Sequence, residues 1–490
     1  MRYSMKSKQV KSVRKYLTVA FLCLSTVSFA QNSGAATDTE DGLGEAVNQY
    51  GVKVSSFPLH PSAQNNILVI ENKEKGYKFW MDNRIQFDGA TYFNLKNGML
   101  NDKNEPVMPG GVSLRRVRTA VKAQVTENWY GEIDMDLADG VFELKDAYLQ
   151  FSGLKDFEFS AGNFKEDFSM EETTSSRYLT FIERPMVVSC FAPSRHAGIQ
   201  AQWQKFDWLR VSAGVSWQAV DNADTRYNVE EFNKVGKGMG ANYTGKIVWM
   251  PWASQAFYGL HIGYNGSYRS AQKTDDNVDG ATALGRGYDG DYFSCRNATS
   301  INRTKFISAE YYGVKYDFLQ GFELAGYYNG FRAAGELITN TSVIDPNFAG
   351  ATVNSQSKHF WGYYAQAAYL LFGGKQRYNI SESEFTQPSR GRGWGDVEVM
   401  ARFDYLNLNS EDIYGGSGQN LTLGVTFHAN SNVKLALNYQ ISQNDKYANN
   451  KGKAIIGLDT QGNPTSNPKL AASDFGARFN TLQARFEIDF

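Results

Sequence analysis

The last ten residues, Thr481 to Phe490, alternate without a break. Leu482, Ala484, Phe486, Ile488 and Phe490 share one face; Thr481, Gln483, Arg485, Glu487 and Asp489 share the other. A period of two is that of a β-strand, so the segment has one apolar and one polar side. On a soluble sheet the polar side meets bulk water. In an outer-membrane barrel the apolar side meets lipid and the polar side lines a wet lumen. Taken alone, the segment fits both. The same alternation marks sixteen segments: 78–93, 113–126, 128–138, 143–151, 156–164, 196–205, 208–219, 240–250, 255–269, 303–316, 321–333, 358–373, 395–409, 419–430, 432–443 and 477–490. Most are long enough to cross a hydrocarbon layer at a barrel's tilt. Strands of soluble domains average about five or six residues.

The connections sort by length. Glu127, Lys205-Phe206-Asp207, Pro251 to Ser254 and Ser431 mark short turns, and between them lie long links at 94–112, 165–195, 220–239, 270–302, 334–357 and 444–476. Tight turns at one end and long loops at the other are the asymmetry of an outer-membrane barrel. Two connections break the rule: 139–142 is short where a long loop is due, and 374–394 is long where a turn is due. An even strand number brings both chain ends to the periplasmic side. The polar faces carry charge, with Arg116, Arg118, Lys122, Glu132, Asp134, Asp136, Arg210, Lys246, Glu310, Glu398, Arg402, Asp404, Arg485 and Glu487 all opposite the apolar side. A Lys or Arg at the lipid midplane costs about 2–4 kcal/mol, so this face is wet. The fold class expected is all-β: a transmembrane antiparallel β-barrel of about sixteen strands.

Composition agrees. Aromatic residues make up 14% of the 490 residues, with 28 Tyr and 46 Gly. Mean hydropathy is −0.45, and no later run reaches the roughly 18 apolar residues of a spanning helix. Residues 1–30 read as a signal peptide: a basic start from Lys6 to Lys15, a short apolar core from Tyr16 to Phe29, and Ser28-Phe29-Ala30 as a small-x-small cleavage site. Cys23 raises a lipoprotein alternative that Leu22 and its neighbours fit poorly. Residues 31–76 read as a periplasmic extension and 77–490 as the barrel. The signal holds six Lys/Arg and no acid, so a net charge of −1 becomes −7 without it; no nucleic-acid partner is implied. Cys190 and Cys295 remain, and the residues leave open whether they pair.

Three stretches carry a family likeness. They are Gly162 to Lys165 with FSMEETTSSRYLTFIER (168–184) and Phe191 to Gly198; YYAQAAYLLFGGKQRY (363–378); and RGWGDVEVMARFDYLNLN (392–409). Together with SLRRVRTAVKAQ (113–124) and the closing strand, they resemble the phosphate-selective porin O/P family from about Phe79 to Phe490. The resemblance implies a bacterial outer-membrane homotrimer, with the 165–195 link folded into each pore as a constriction loop. It implies passive diffusion of phosphate or another small anion; no cofactor, metal or enzymatic step is expected. A terminal Phe on the last strand is the usual mark read by the barrel-assembly machinery.

An anion filter needs fixed cations in a narrow, poorly screened passage. Arginine suits it, because its fork matches phosphate oxygens and keeps its charge. The matching positions are Arg115 and Arg116 on the second strand and Arg177 and Arg184 in the link. Arg118 and Lys122 continue the lumen face, and Arg195 anchors the link's return. Each has a structural alternative: Arg184 pins the link to Glu183 or to a wall carboxylate, and Arg115, of odd parity, faces outward at the rim. Glu171 and Glu172 stand where relatives can carry lysine, and Asp134, Asp136, Asp146 and Glu398 face the lumen. That mixture points to a general or weakly anion-preferring channel rather than a stringent phosphate filter.

Other chemistry fits less well. No Ser-His-acid spacing joins His60, His196, His261, His359 and His428 into a hydrolase site. A plugged transporter needs about 22 strands. Asp275 to Gly280 looks like half a calcium loop, but Arg286 stands where the bidentate Glu belongs. Gly236 to Gly240 is too short for a dinucleotide fingerprint.

Overall fold

The computed structural model describes residues 44–96, 108–217, 240–253, 255–270, 293–311, 313–344 and 357–490. The expected signal peptide, the calcium-like segment and most of the glycine-rich 236–240 segment lie outside them. The chain divides into a unit ending at Leu59 and a unit from His60 to Phe490. In the first, Gly44–Val47 pairs with Lys53–Ser56.

In the second unit, sixteen antiparallel strands among the described residues close a ring. They are β1 Tyr77–Lys96, β2 Gly111–Thr126, β3 Trp129–Asp136, β4 Glu143–Leu154, β5 Phe157–Lys165, β6 Arg195–Phe206, β7 Leu209–Ser216 and β8 Asn242–Trp249. The ring continues with β9 Tyr258–Ser270, β10 Val314–Tyr328, β11 Phe331–Ile344, β12 Ser357–Leu370, β13 Asp396–Ser410, β14 Ile413–His428, β15 Val433–Asp445 and β16 Phe475–Asp489. β16 pairs with β1 from Arg478↔Lys96 to Asp489↔Arg84, and Phe490 exchanges backbone hydrogen bonds with Asn83. A hairpin, His60–Gln64 with Ile67–Asn72, extends the sheet beside the start of β1.

The barrel is polar inside and apolar outside. Along β14, Asn420, Thr422 and Thr426 are buried while Leu421, Leu423 and Val425 are exposed. Water would punish that arrangement; a lipid exterior explains it.

Two of the expected strands are misplaced. The sequence reading put strands at 303–316 and 321–333, with a turn at 317–320. The structure has β10 at Val314–Tyr328 and β11 at Phe331–Ile344, so 317–320 lies inside a strand. The turn is Asn329-Gly330, joining Tyr328 to Phe331, and Asn329 takes a φ of 49°. Asn tolerates this left-handed backbone better than most residues, which makes Asn-Gly a strong hairpin signal. The alternation near 307 is real but belongs to a small hairpin, Phe293–Cys295 with Ile307–Ala309. Glu310 falls outside the barrel strands, exposed beside Lys451, and not on an inward face. β14 also begins earlier than expected, after a two-residue turn at Glu411-Asp412.

Three connections pack against inward-facing side chains. The 166–194 link carries helix α1, Met170–Thr173, and helix α2, Met186–Phe191. α2 packs on β11, β12 and β13 and on the 293–295 strand. Phe168, Met186, Val187, Phe306, Phe360 and Phe479 form one apolar cluster there. Asn297 bonds Asn420 and Asn444, which seats the 293–309 hairpin on the polar faces of β14 and β15. The third connection is the long turn at 371–395.

Candidate functional site

The packed segments leave a cavity of about 500 Å³ against the inward faces of β1–β7. Period-two parity puts its wall residues there. Arg84 stands two positions from Asp82 on β1, and Arg118 and Lys122 share a face of β2. Their side chains line the cavity with Arg177, Arg195 and Arg210. The wall holds seven cations, counting Lys165, and eight carboxylates: Asp82, Glu132, Asp134, Asp146, Glu158, Asp167, Glu382 and Glu384. The charge of the passage is therefore nearly balanced.

The link is fastened on several sides of the ring. Asp167 accepts from Arg210 at 2.5 Å and from Ser212 at 2.6 Å, on β7. Burial opposes its ionisation, but Arg210 and Lys246 outweigh it and hold the carboxyl down to about 2. Glu166 bonds Ser216, Thr244 and Arg269 on β7, β8 and β9. The Met170 and Glu171 backbone N–H groups donate to Glu323 on β10 and Glu336 on β11, both at 2.8 Å. Across the ring, Arg402 on β13 donates to Glu183 O, and Arg485 on β16 donates to Ile182 O.

Each expected site residue has a definite place. Arg115 is the extra residue of a bulge in β2, where Gln86↔Arg116 is followed by Phe87↔Leu114. A bulge turns consecutive side chains toward one side. Arg115 therefore reaches inward to Glu183 in spite of its parity, and does not face out at the rim. Arg116 is buried, donates to Gln86 at 2.7 Å, and has no ion-pair partner within 4.0 Å among the described residues. Arg118 pairs with Asp136 at 3.0 Å and Lys122 with Glu132 at 3.3 Å. Arg177 forks onto Asp82 and reaches Asp489 at 3.2 Å. Arg195 grips Asp146 at 2.9 and 2.7 Å. Arg184 braces the link on itself: it donates to the carbonyls of Glu171, Glu172 and Thr174 and pairs with Glu172 at 3.1 Å.

Five of the seven thus sit in the cavity wall or beside it on β2, while Arg115 and Arg184 hold the link. Sequence reasoning passed over Arg84, which the parity of β1 would have supplied, and Arg210, seen as an inward charge but not as a lining residue. Glu382 and Glu384 had no signal beyond the unexpected length of their connection. Among the described residues Glu132, Asp134 and Asp146 bring carboxylate oxygens within 4.8 Å of one another. Lys122, Arg118 and Arg195 already neutralise them.

A family profile described as phosphate-selective porin O and P matches residues 83–462. Porin O of Pseudomonas aeruginosa is 24% identical over 413 residues, covering 79% of this chain and 87% of that protein. An uncharacterized protein of Caulobacter vibrioides is 24% identical over 385 residues, 78% of this chain and 68% of that one. Among solved structures, an anion-selective porin from Comamonas acidovorans aligns over 84% of this chain and 100% of its own, at 11% identity and a TM-score of 0.47.

Proposed function

The chain belongs to the phosphate-selective porin O and P family, and from that membership we propose a weakly anion-preferring diffusion channel across the bacterial outer membrane. Its permeants are small anions such as phosphate. The observation that carries this reading is the cavity wall itself. Arg84, Arg118, Lys122, Arg195 and Arg210 project into one space from β1, β2, β6 and β7; with Lys165 and Arg177 they make seven cations, set against eight carboxylates. A wall of fixed arginines attracts anions; the carboxylates weaken the field that would make the filter stringent. The 166–194 link acts as the constriction, and Arg116, buried beside the cavity with no ion-pair partner within 4.0 Å among the described residues, adds positive potential to the passage without lining it.

The same reading includes the partners. Three copies associate in the membrane, lipid covers the apolar exterior, and Phe490 is presented to the barrel-assembly machinery. Residues 1–30 direct export and 31–76 stay periplasmic. Liposome swelling tests the channel. Vesicles carrying the full-length protein should swell in isotonic sodium phosphate and in chloride; vesicles that swell with neither would sink the proposal. A hydrolytic barrel would give that second result.

A further inference from the structure

We propose that Glu382 and Glu384, at the tip of the 371–395 connection, are specificity-determining carboxylates of the pore. This rests on the channel reading and singles out two of its wall carboxylates.

A turn at this end needs only a few residues, as Asn329-Gly330 shows. This one is long and fully seated. Its base is stapled by Asp396, which accepts from the backbone N–H groups of Phe372 at 3.0 Å, Gly374 at 2.8 Å and Gly391 at 2.9 Å. Higher up, Gln376 donates to Glu398 at 2.9 Å, and the Tyr378 hydroxyl bonds His261 at 2.6 Å. The tip is clasped from the wall. Arg210 and Gln202 both donate to Ser381 O, at 2.9 and 3.1 Å. Arg332 lies over the Phe385 ring at 5.4 Å. Contacts of this number fix the carboxylates in position rather than letting them trail in solvent.

The tip meets the other link. α1 packs against the Glu384–Thr386 strand, and the Ser175 backbone bonds the Glu384 carboxylate. Two connections from opposite mouths therefore touch beside the cavity. Both carboxylates line that cavity together with Lys165, Arg195 and Arg210. A permeating ion passes between a cationic wall and an acidic tip, and the tip lowers whatever anion preference the arginines create.

The charge of the tip depends on pH. Burial, then the neighbouring Glu382, push Glu384 up to about 8, against Lys165, Lys246 and the Ser175 hydrogen bond. Glu382 is raised as well by burial, with Arg210 opposing and Glu158, Asp167 and Glu132 reinforcing. A raised carboxyl is neutral below its value and charged above it. Anion preference is therefore greatest in mild acid and falls through neutrality into alkali.

The test uses the full-length protein in planar bilayers under a potassium chloride gradient, at pH 6 and pH 9. Wild type should lose at least about twofold in anion-to-cation permeability on going to pH 9. Glu382→Gln with Glu384→Gln should lose clearly less of the pH 6 ratio than wild type on going to pH 9. The near-isosteric change keeps the fold, and retention of folded-barrel mobility on unheated gels checks it. Identical reversal potentials for wild type and the double variant at both pH values would overturn the proposal and leave the channel reading standing. Absence of current from wild type would overturn both.

Discussion

Glu183 accepts both ends of the Arg115 fork, Nε at 2.8 Å and Nη2 at 3.2 Å. One residue belongs to the 166–194 link and the other to the wall, so the pair fastens the link to β2. Arg485 adds a third contact at 3.3 Å.

The first prediction concerns that fastening. Burial opposes ionisation of Glu183, but Arg115, Arg116 and Arg485 outweigh it and hold the carboxyl well below the usual 4.5. A depressed carboxylate contributes stability that is complete above its unfolded value and is lost as pH falls through its folded one. Anchorage is thus full from about pH 5 upward and fails only in strong acid. Glu183→Gln breaks a half-buried pair, at a cost of about 1–3 kcal/mol. Single-channel records of E183Q at pH 7 should show frequent conductance steps where wild type is quiet. Records as quiet as wild type would show that the remaining wall contacts hold the link alone.

The closing seam gives a second. Arg485 forks onto Asp88 with two bonds of 2.7 Å, Glu487 accepts from Gln86 at 2.5 Å, and Arg84 reaches Asp489 at 3.3 Å. Phe490 lies at the seam's end, half exposed. Deleting Phe490 removes the proposed assembly mark and one pair of backbone bonds, leaving the inward charges in place. The yield of membrane-inserted protein should fall several-fold on the scale of a cell fractionation, while inserted molecules conduct as wild type does. Normal insertion with altered conductance would reverse that assignment.

The two cysteines give a third. The Cys190 and Cys295 thiols touch, and Cys295 Sγ donates to Met186 O at 3.4 Å. Met186 and Cys190, four apart, share a face of α2. A disulfide-forming oxidant such as diamide should join the thiols, taking two electrons and two protons from them. The expected product is a linked tryptic peptide that a reductant separates. Recovery of two alkylated thiols after oxidation would mean that Cβ geometry forbids the bond. Burial, which pushes the Cys190 thiol upward, makes the reaction slow.

Two arginines separate filter from brace. Arg116→Ala should reduce anion-to-cation permeability about two- to threefold with steady current. Arg184→Ala should instead unsettle the link, because three carbonyls and Glu172 lose their donor. Its mark is unstable current rather than a clean shift in reversal potential. A clean shift in R184A and none in R116A would exchange the two roles.

The ring was legible because lipid outside and water inside impose strict alternation, as in Leu421 to Thr426. The tenth and eleventh strands were not, since alternation has no memory of which sheet it serves: Ile307–Ala309 alternates within a small hairpin, and the deciding signal was Asn329-Gly330. The wall cations Arg118, Lys122 and Arg195 followed from parity and family likeness. Arg115 escaped parity because a bulge adds one residue to β2. The partners of Arg184 escaped because a link's path through a lumen has no period to read. Glu382 and Glu384 belong to the same class, visible only as a turn too long for its end of the barrel.

The central claim is a wet passage with mild preference for anions. Reversal potential of the wild-type protein under a tenfold potassium chloride gradient at pH 7 tests it most directly. The account predicts steady current reversing on the anion side of zero, by much less than the full chloride potential, with phosphate replacing chloride as carrier. A closed barrel, or a reversal potential on the cation side, would contradict it.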